Sequence, residues 1–509
     1  MKKRILSVLL LGAMLLPLAS CAKGGTDTPD TTAAPPAVTA ADTTAAPEET
    51  TTIDPSDRSQ VKDNLPAELR FNGETIRILY RGADENAGIF TLDVGGTNNA
   101  GDYVTDAVYE RNRSVEDRLG ITFVYTPMNA GGLSTTATFV QQLVMAGSSE
   151  YDYINTTGNT NVIYNLNAYL RDLSDAPYID YEQPWWWNDA IAQLSLDGKT
   201  FNYIIGDILA YSYRQTAVTF CNKQIYEDIW GDPDEMYKTV MDGKWTIDTM
   251  TEMCEAAYDD LNGNGVEDAG DRFGTVSGSA YATRFFIGFD IDMYHRDENG
   301  GLVIEFDAET AALATEKMYK LFNETAGIAK HTTGQDNAAE VFTNGEMLFY
   351  PGIFSYAMME NFRNMEQPYG LIPFPKLQEE QTSYTASLEN ASSNISIMKS
   401  ISDERMNVIG AALEALCAES YRSVTPKFLE TAMKVKYSPD QMSGKVIDLV
   451  VAGMTKNTLN EYGTYTADIF KNCLTSPAFG TGNFASVYAK TKSVAQKTWD
   501  KAIAKALAG

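Results

Sequence analysis

Ile76-Arg77-Ile78-Leu79-Tyr80 opens the stretch whose reading decides the fold, and Tyr151-Asp152-Tyr153-Ile154 closes it. The first segment is a short β run, set off by the turn-forming pair Asn72-Gly73. Over 103–119 the spacing becomes helical, with Val104, Ala107, Val108, Arg111 and Val115 near one face. Gly120 ends that helix, and Ile121-Thr122-Phe123-Val124-Tyr125 follows as a second strand. Another helical stretch over 135–146 leads into the strand at 151–154. Strand, helix, strand, helix, strand predicts a mostly parallel sheet with helices on both faces, hence an α/β fold.

Downstream the helical periods are stronger. One helix is expected over 246–261, with Met250, Met253, Cys254 and Ala257 on one face, and another over 310–322. A third over 403–421 groups Ile409, Leu413, Leu416 and Cys417. The last begins after Asn483, a good cap, and repeats apolar or small residues at Phe484, Val487, Tyr488, Val494, Thr498 and Ala502. The chain has 509 residues, of which about 450 remain beyond the N-terminal segments described next. That is more than one hydrophobic core usually serves, so two domains are expected.

The N-terminus starts Met-Lys-Lys-Arg, continues apolar from Ile5 to Leu16, and reaches Leu18-Ala19-Ser20-Cys21. A basic start and a short apolar run make a secretory signal over 1–20, too short for a spanning helix. The last four residues resemble a bacterial lipobox, which makes Cys21 the expected lipidation site. Residues 21–58 form a tether of Thr, Ala, Pro, Asp and Glu that cannot bury enough surface to fold. As a flexible coil it spans on the order of 30–40 Å. The expected location is extracytoplasmic, lipid-anchored to the cell membrane.

The formal net charge is −28, and removing the leader takes away Lys2, Lys3 and Arg4. Such a chain is a poor partner for nucleic acid. Apart from Cys21 the cysteines are Cys221, Cys254, Cys417 and Cys473, with no metal-type spacing. They read as isolated core residues or at most one disulfide. The two histidines, His295 and His331, have no histidine neighbour, so zinc or triad chemistry is not indicated.

Two local patterns carry chemistry. Asp260, Asn262 and Asn264 stand at positions 1, 3 and 5 of a calcium-loop spacing, with Gly265 at 6, Val266 at 7, Asp268 at 9 and Asp271 at 12. Position 12 is Asp rather than the longer Glu, and Glu267 at position 8 disfavours pairing with a second such loop. The pattern predicts one structural Ca²⁺ that staples a loop, against the plainer reading of an Asn/Gly-rich turn. Tyr181-Glu182-Gln183-Pro184-Trp185-Trp186-Trp187 is the densest aromatic cluster. Indole faces suit the C–H face of a sugar ring, and core packing is the equal alternative. Tyr211 and Tyr213 carry the same two readings. Asp197-Gly198 reads as a tight turn, because Gln193 stands where a phosphate loop needs its first glycine. Ser277-Gly278-Ser279 lacks the frame of a nucleophile elbow.

Several landmarks resemble the extracellular solute-binding proteins of ABC importers, the family of bacterial sugar-binding lipoproteins. Ile76–Tyr80 with Arg111-Asn112-Arg113-Ser114-Val115-Glu116 is similar to the family's opening unit. Phe220-Cys221-Asn222-Lys223 resembles its Tyr-Asn-Lys after the first crossing, with Cys221 in the place of the tyrosine. Trp245-Thr246-Ile247-Asp248 resembles its Thr-Trp-Asp helix start. Phe342-Thr343-Asn344-Gly345-Glu346-Met347 and Tyr350-Pro351-Gly352 resemble a further conserved-pattern segment, with Phe354 where a tryptophan is usual. Tyr369-Gly370-Leu371-Ile372-Pro373-Phe374-Pro375 resembles the closing strand.

The resemblance implies a two-lobed periplasmic-binding-protein-like (type II) fold with discontinuous lobes and a hinge. One lobe is expected from 59–215 and 352–400, the other from 216–351 and 401–509. It implies a monomeric binding subunit, not an enzyme, that takes a carbohydrate or oligosaccharide between the lobes and passes it to permease subunits. Ligand contacts are expected at loop ends facing the cleft: Arg81, Asn155, Thr156, Trp185, Trp186, Trp187, Tyr211, Tyr281, Arg284 and Phe354. Two alternatives stay open, a secreted glycan-degrading enzyme and a surface binding or sensor protein without a transport role.

Overall fold

The computed structural model describes residues 57–82, 93–95, 103–128, 133–330, 335–430, 441–455, 461–466 and 468–508. The leader, Cys21, His331 and nearly all of the tether lie outside them.

The first sheet forms as the alternation predicts. Strand β1 (Glu74–Arg81) is followed by helix α1 (Tyr103–Leu119), β2 (Ile121–Met128), α2 (Leu133–Met145), β3 (Tyr153–Thr157) and α3 (Gly158–Leu166). β1 pairs in parallel with β2 on one side and β3 on the other. The apolar stripe of α1 faces inward, with Val104, Val108 and Val115 buried. β4 (Tyr203–Ile204) and the late strand β8 (Ser393–Ser396) complete the order β2-β1-β3-β8-β4, and β8 runs antiparallel to both its neighbours.

A second, antiparallel sheet has β5 (Ala217–Asn222) between β6 (Phe349–Ile353) and β7 (Tyr369–Ile372). Every residue of β5 is buried. Around Phe220 pack Phe342, Tyr350, Phe362 and Tyr369, with ring centroids 4.9–6.0 Å from its own. Asn222, the last residue of this strand, caps the helix Lys223–Trp230 by accepting from the main-chain N–H groups of Gln224 and Ile225. Thr246 caps α4 (Ile247–Ala257) in the same manner. Thus two of the sequence landmarks are helix starts. Helix α5 (Ser279–Gly288) packs in this half, and the last helix, α7 (Phe484–Leu507), starts at the Asn483 cap.

Two expected boundaries move. Strand β7 falls in the 352–400 span expected in the first lobe, yet it pairs with β5 in the second sheet. Helix α6 (Asp403–Glu419) was assigned with the second lobe by the split at residue 400, but it packs on the first sheet. Its Ile409, Leu413 and Leu416 share one core with Ile76, Ile78, Ile204 and Ile395. Arg405 at its first turn donates to Asp152 and Glu74, each at 2.7 Å. The apolar stripe alone says that a helix is covered, and these long-range polar pairs decide by which sheet.

Cys221, Cys254, Cys417 and Cys473 are all buried and free, so the isolated-core reading holds and none forms a disulfide. Among the described residues no helix is long and apolar enough to cross a membrane.

Candidate functional site

The first sheet creates a crevice at one edge. The connection after β1 runs to β2 on one side and that after β3 runs on toward β4 on the other, so a crevice opens between the carboxyl ends of β1 and β3, which is where open α/β sheets hold ligands. Arg81 is the last residue of β1, and Asn155 of β3 stands opposite Tyr80. The antiparallel β8 brings Asn394 opposite Thr156 and Ser393 opposite Thr157. Helix α3 begins at once, with the main-chain N–H groups of Gly158 and Asn159 bonded to the carbonyls of Ser392 and Asn390. A backbone so tied holds these side chains at the sheet edge.

The edge is polar and buried. Asn155, Thr156, Asn161, Ser393 and Asn394 are all at or below 3% exposed. Thr156 Oγ1, Asn394 Oδ1, both amide atoms of Asn161 and the Tyr164 hydroxyl make no hydrogen bond among the described residues. A buried polar atom without a partner costs about 1–3 kcal/mol. Asp93 stands at the same edge and accepts from the main-chain N–H of Tyr211 at 2.6 Å. Burial pushes its carboxyl up to about 6, against the opposing influence of Ser393, the Tyr211 N–H, Arg111 and Asn155. Burial also raises the phenols of Tyr211 and Tyr164, and the charge of Arg81 reaches both in the opposite direction. Arg81, Asn155, Thr156 and Tyr211 therefore stand together at this edge.

Tyr281 and Arg284 come from α5 and meet this group through a chain of contacts. Gln215 Nε2 donates to the Tyr211 hydroxyl at 2.7 Å. The main-chain N–H of Glu389 donates to the Gln215 carbonyl at 3.1 Å. Arg284 Nε donates to Glu389 Oε1 at 2.7 Å, and its Nη1 to the Pro351 carbonyl at 3.0 Å. The Tyr281 ring lies 6.1 Å from that of Tyr350 in β6. The path runs from the first sheet's edge to the strand of the second sheet.

Sequence reasoning missed Glu461 and Tyr462. Glu461 is 2% exposed, and a Cβ built on Gly158 would stand 2.3 Å from its Oε2. Only glycine lets that carboxylate approach the first turn of α3 so closely. Tyr462 donates to the Leu194 carbonyl at 2.7 Å and shares a hydrogen bond with the Tyr203 hydroxyl. Nothing in the local sequence around 461 marks either residue, because their partners lie far away in the chain.

Four expected contacts are corrected. Trp185 and Trp186 are 0% and 3% exposed, and their indole N–H groups donate to the two carboxylate oxygens of Glu414. They belong to the core under α6. Phe354 is wholly buried beside β6 and presents no face to a solute. Trp187 is only half-buried. It donates to Asp207 at 2.9 Å, packs edge-on against Tyr213, and lines a separate cavity away from Arg81 and Asn155.

The 260–271 loop holds itself together. Asp260 accepts from the main-chain N–H groups of Gly263, Asn264 and Gly265, and Val266 N–H donates to Asn264. Asn262 and Asn264 donate their amides to Asp268, each at 2.8 Å. Asp271 is fully buried, and its Oδ1 makes no hydrogen bond among the described residues. No group of three or more His, Cys, Asp or Glu poised around a metal occurs among the described residues.

No protein-family model matches the sequence, and no curated protein matches it significantly. Solved structures do match the fold. UspC of M. tuberculosis aligns with a TM-score of 0.54 at 13% identity, over 83% of this chain and 100% of that one. The GacH receptor of Streptomyces glaucescens, solved unliganded and with acarbose, aligns with 0.51 at 12% identity, over 84% and 99%. An ABC transporter associated binding protein from B. animalis subsp. lactis, in complex with β-1,6-galactobiose, aligns with 0.50 at 13% identity, over 84% and 98%. The chain has the two-lobed α/β fold of the type II periplasmic binding proteins.

Proposed function

We propose that this protein is the membrane-anchored substrate-binding subunit of an ABC importer, and that it takes a carbohydrate, most simply an oligosaccharide, at the edge of its first sheet. The observation that carries the reading is the set of buried polar groups at the carboxyl ends of β1 and β3, several without a hydrogen-bond partner among the described residues, linked to Arg284 of the other half through Tyr211, Gln215 and Glu389. Hydroxyl-rich solutes offer donors and acceptors to such a lining, and contacts from both halves favour a closed form by hinge motion. The fold neighbours named above include proteins solved with acarbose and with a galactobiose, which supports a sugar. Arg81, Asn155, Thr156, Tyr211, Tyr281 and Arg284 are the proposed contacts, joined by Glu461. Trp187 is dropped from that set. The protein acts as a monomer, releases its solute unchanged, and is held at the cell membrane through Cys21.

We also propose one Ca²⁺ in the 260–271 loop, with Asp260, Asn262, Asn264, the Val266 carbonyl, Asp268 and Asp271 as ligands. The oxygen spacing and the buried, unpartnered Asp271 Oδ1 support it.

The solute is tested by calorimetric titration and thermal shift against a panel of linear oligosaccharides. A binder raises the melting temperature with its concentration. If no carbohydrate binds, or if the sugar is recovered cleaved, the reading fails.

A further inference from the structure

A second built environment lies apart from the sheet edge. The 181–187 segment, the turn after α6 and the first described residues of the chain meet around a cavity of about 410 Å³. Its walls are aromatic: Tyr181, Trp186, Trp187, Tyr213 and Tyr421. Asp207 forms one end and is 1% exposed.

Asp207 is supplied with neutral donors only from within the core. Trp187 Nε1 and the Tyr213 hydroxyl donate to its Oδ1 at 2.9 and 2.8 Å, and the Thr425 hydroxyl donates to Oδ2 at 2.8 Å. A buried carboxylate with neutral partners still lacks a counter-charge. The only cationic residue among the described lining residues is Arg58. It fits loosely. Its Nη1 is 3.6 Å from Asp207 Oδ2 and makes no hydrogen bond among the described residues, and its guanidinium carbon stands 4.6 Å from the Tyr421 ring centroid. The side chain is one-third exposed and belongs to a single turn, Arg58–Gln60, at the start of the described chain.

Aromatic faces attract cations through the ring quadrupole, and a desolvated carboxylate adds to the attraction. A neutral hydroxyl gains less here, because it has to displace a donor that Asp207 already holds. We propose that the cavity between Trp187, Tyr421 and Asp207 is a binding site for a small organic cation, an alkylammonium or guanidinium group, and that Arg58 is the resident cation such a ligand displaces. The site is independent of the solute held at the sheet edge.

The test titrates the full chain with choline and with 3,3-dimethyl-1-butanol, its uncharged isostere, following tryptophan fluorescence and heat. Choline saturates a fluorescence change and the isostere binds at least tenfold more weakly, roughly the contribution of one desolvated cation–aromatic contact. Arg58→Gln tightens choline several-fold by freeing the seat, and Asp207→Asn narrows the difference between the two probes to what the aromatic faces alone supply. Equal binding of choline and isostere to the unaltered protein, or no binding of either, overturns the proposal even if the Asp207 variant fails to fold. So does an Arg58→Gln variant that folds and binds choline no better than the parent.

Discussion

Arg284 in α5 donates from Nε to Oε1 of Glu389 at 2.7 Å, joining the helix beside the second sheet to the segment that leads into β8 of the first. Arg284 is 3% exposed and the Glu389 side chain 23%. The guanidinium also donates to the Pro351 carbonyl. The two ends of the pair are therefore unequal. Removing Glu389 strands a buried charge, whereas removing Arg284 leaves a carboxylate that still reaches water.

The expected order follows from that inequality. Glu389→Ala lowers unfolding stability by about 3 kcal/mol, the scale of breaking a buried pair. Arg284→Met, which keeps apolar volume, costs about 1–2 kcal/mol. Urea unfolding of the two variants measures both numbers. If Arg284→Met is the more damaging, the pair is not the joint described here.

Stability also depends on pH with a sign set by buried acids. Burial pushes Glu414 up to about 7, only partly offset by the indole N–H groups of Trp186 and Trp185 and the Asp180 N–H. Asp93 is likewise raised, to about 6. A raised acid keeps its proton in the folded state after the unfolded chain has lost it, so stability falls as pH rises from about 4.5 to 7. Asp152 moves the opposite way. Burial raises it, but Arg405 and Arg77 outweigh burial and hold it below its ordinary value. Its contribution is present above pH 3.8 and is lost as pH falls further. Melting temperature should therefore peak near pH 4–5, roughly midway between these windows. Glu414→Gln flattens the alkaline side by on the order of 2–3 kcal/mol. A variant with the parent's full slope removes Glu414 from the explanation.

Much of the first sheet was legible because its signals are local. Val104, Val108 and Val115 mark a helix face by spacing alone, and Asn483 marks a start by its own side chain. The site was legible only in part, since Arg81, Asn155 and Thr156 sit where strands end, and strand ends can be read. What failed was direction. Three tryptophans in a row announce aromatic area, but whether an indole faces solvent depends on where its N–H finds an acceptor. Here Glu414 supplies it, 229 positions beyond Trp185. Glu461 gave no signal for the same reason, its counterpart being a glycine in another half of the chain. α6 read as a helix at once, and its sheet was misassigned because Arg405 and Asp152 are distant in sequence.

Gly410 offers a test of how tightly α6 sits. A Cβ at this position would lie 1.9 Å from the Pro177 carbonyl oxygen. Glycine inside a helix normally costs about 1 kcal/mol relative to alanine. The clash is with main chain, which cannot swing aside, and overpacking costs about 1–3 kcal/mol or more. Gly410→Ala is therefore destabilising on balance, by about 1–2 kcal/mol. Chemical unfolding that shows the alanine variant more stable would place α6 further from the 176–177 segment than described.

Calcium makes the same loop more stable if the proposed ligands close on it. At a concentration one hundred times the dissociation constant, the ion adds about 2.7 kcal/mol. Melting temperature rises with added Ca²⁺, falls with a chelator, and ignores both in Asp260→Ala. Asp271→Asn keeps the buried shape and loses the charge, so it isolates the role of the unpartnered Oδ1. A parent protein indifferent to millimolar Ca²⁺ removes the ion and leaves a self-bonded Asn/Gly turn.

Arg81 separates binding from folding more cleanly than any other residue of the sheet edge. It ends β1 half-exposed, so its removal leaves no sealed cavity and should change stability by less than about 0.5 kcal/mol. Its charge acts on the phenols of Tyr211 and Tyr164 at the same edge. Hydrogen bonds from a charged group contribute about 1.5–3 kcal/mol. Arg81→Ala is therefore expected to weaken the bound oligosaccharide by roughly tenfold to a hundredfold with an unchanged melting temperature in the absence of solute. Asn155→Ala should weaken it as well, but with a stability cost, since Asn155 is buried. Calorimetry on the two variants distinguishes the cases. If Arg81→Ala binds as tightly as the parent while a cavity variant at Trp187 does not, the solute sits in the aromatic cavity and the sheet edge is only a joint.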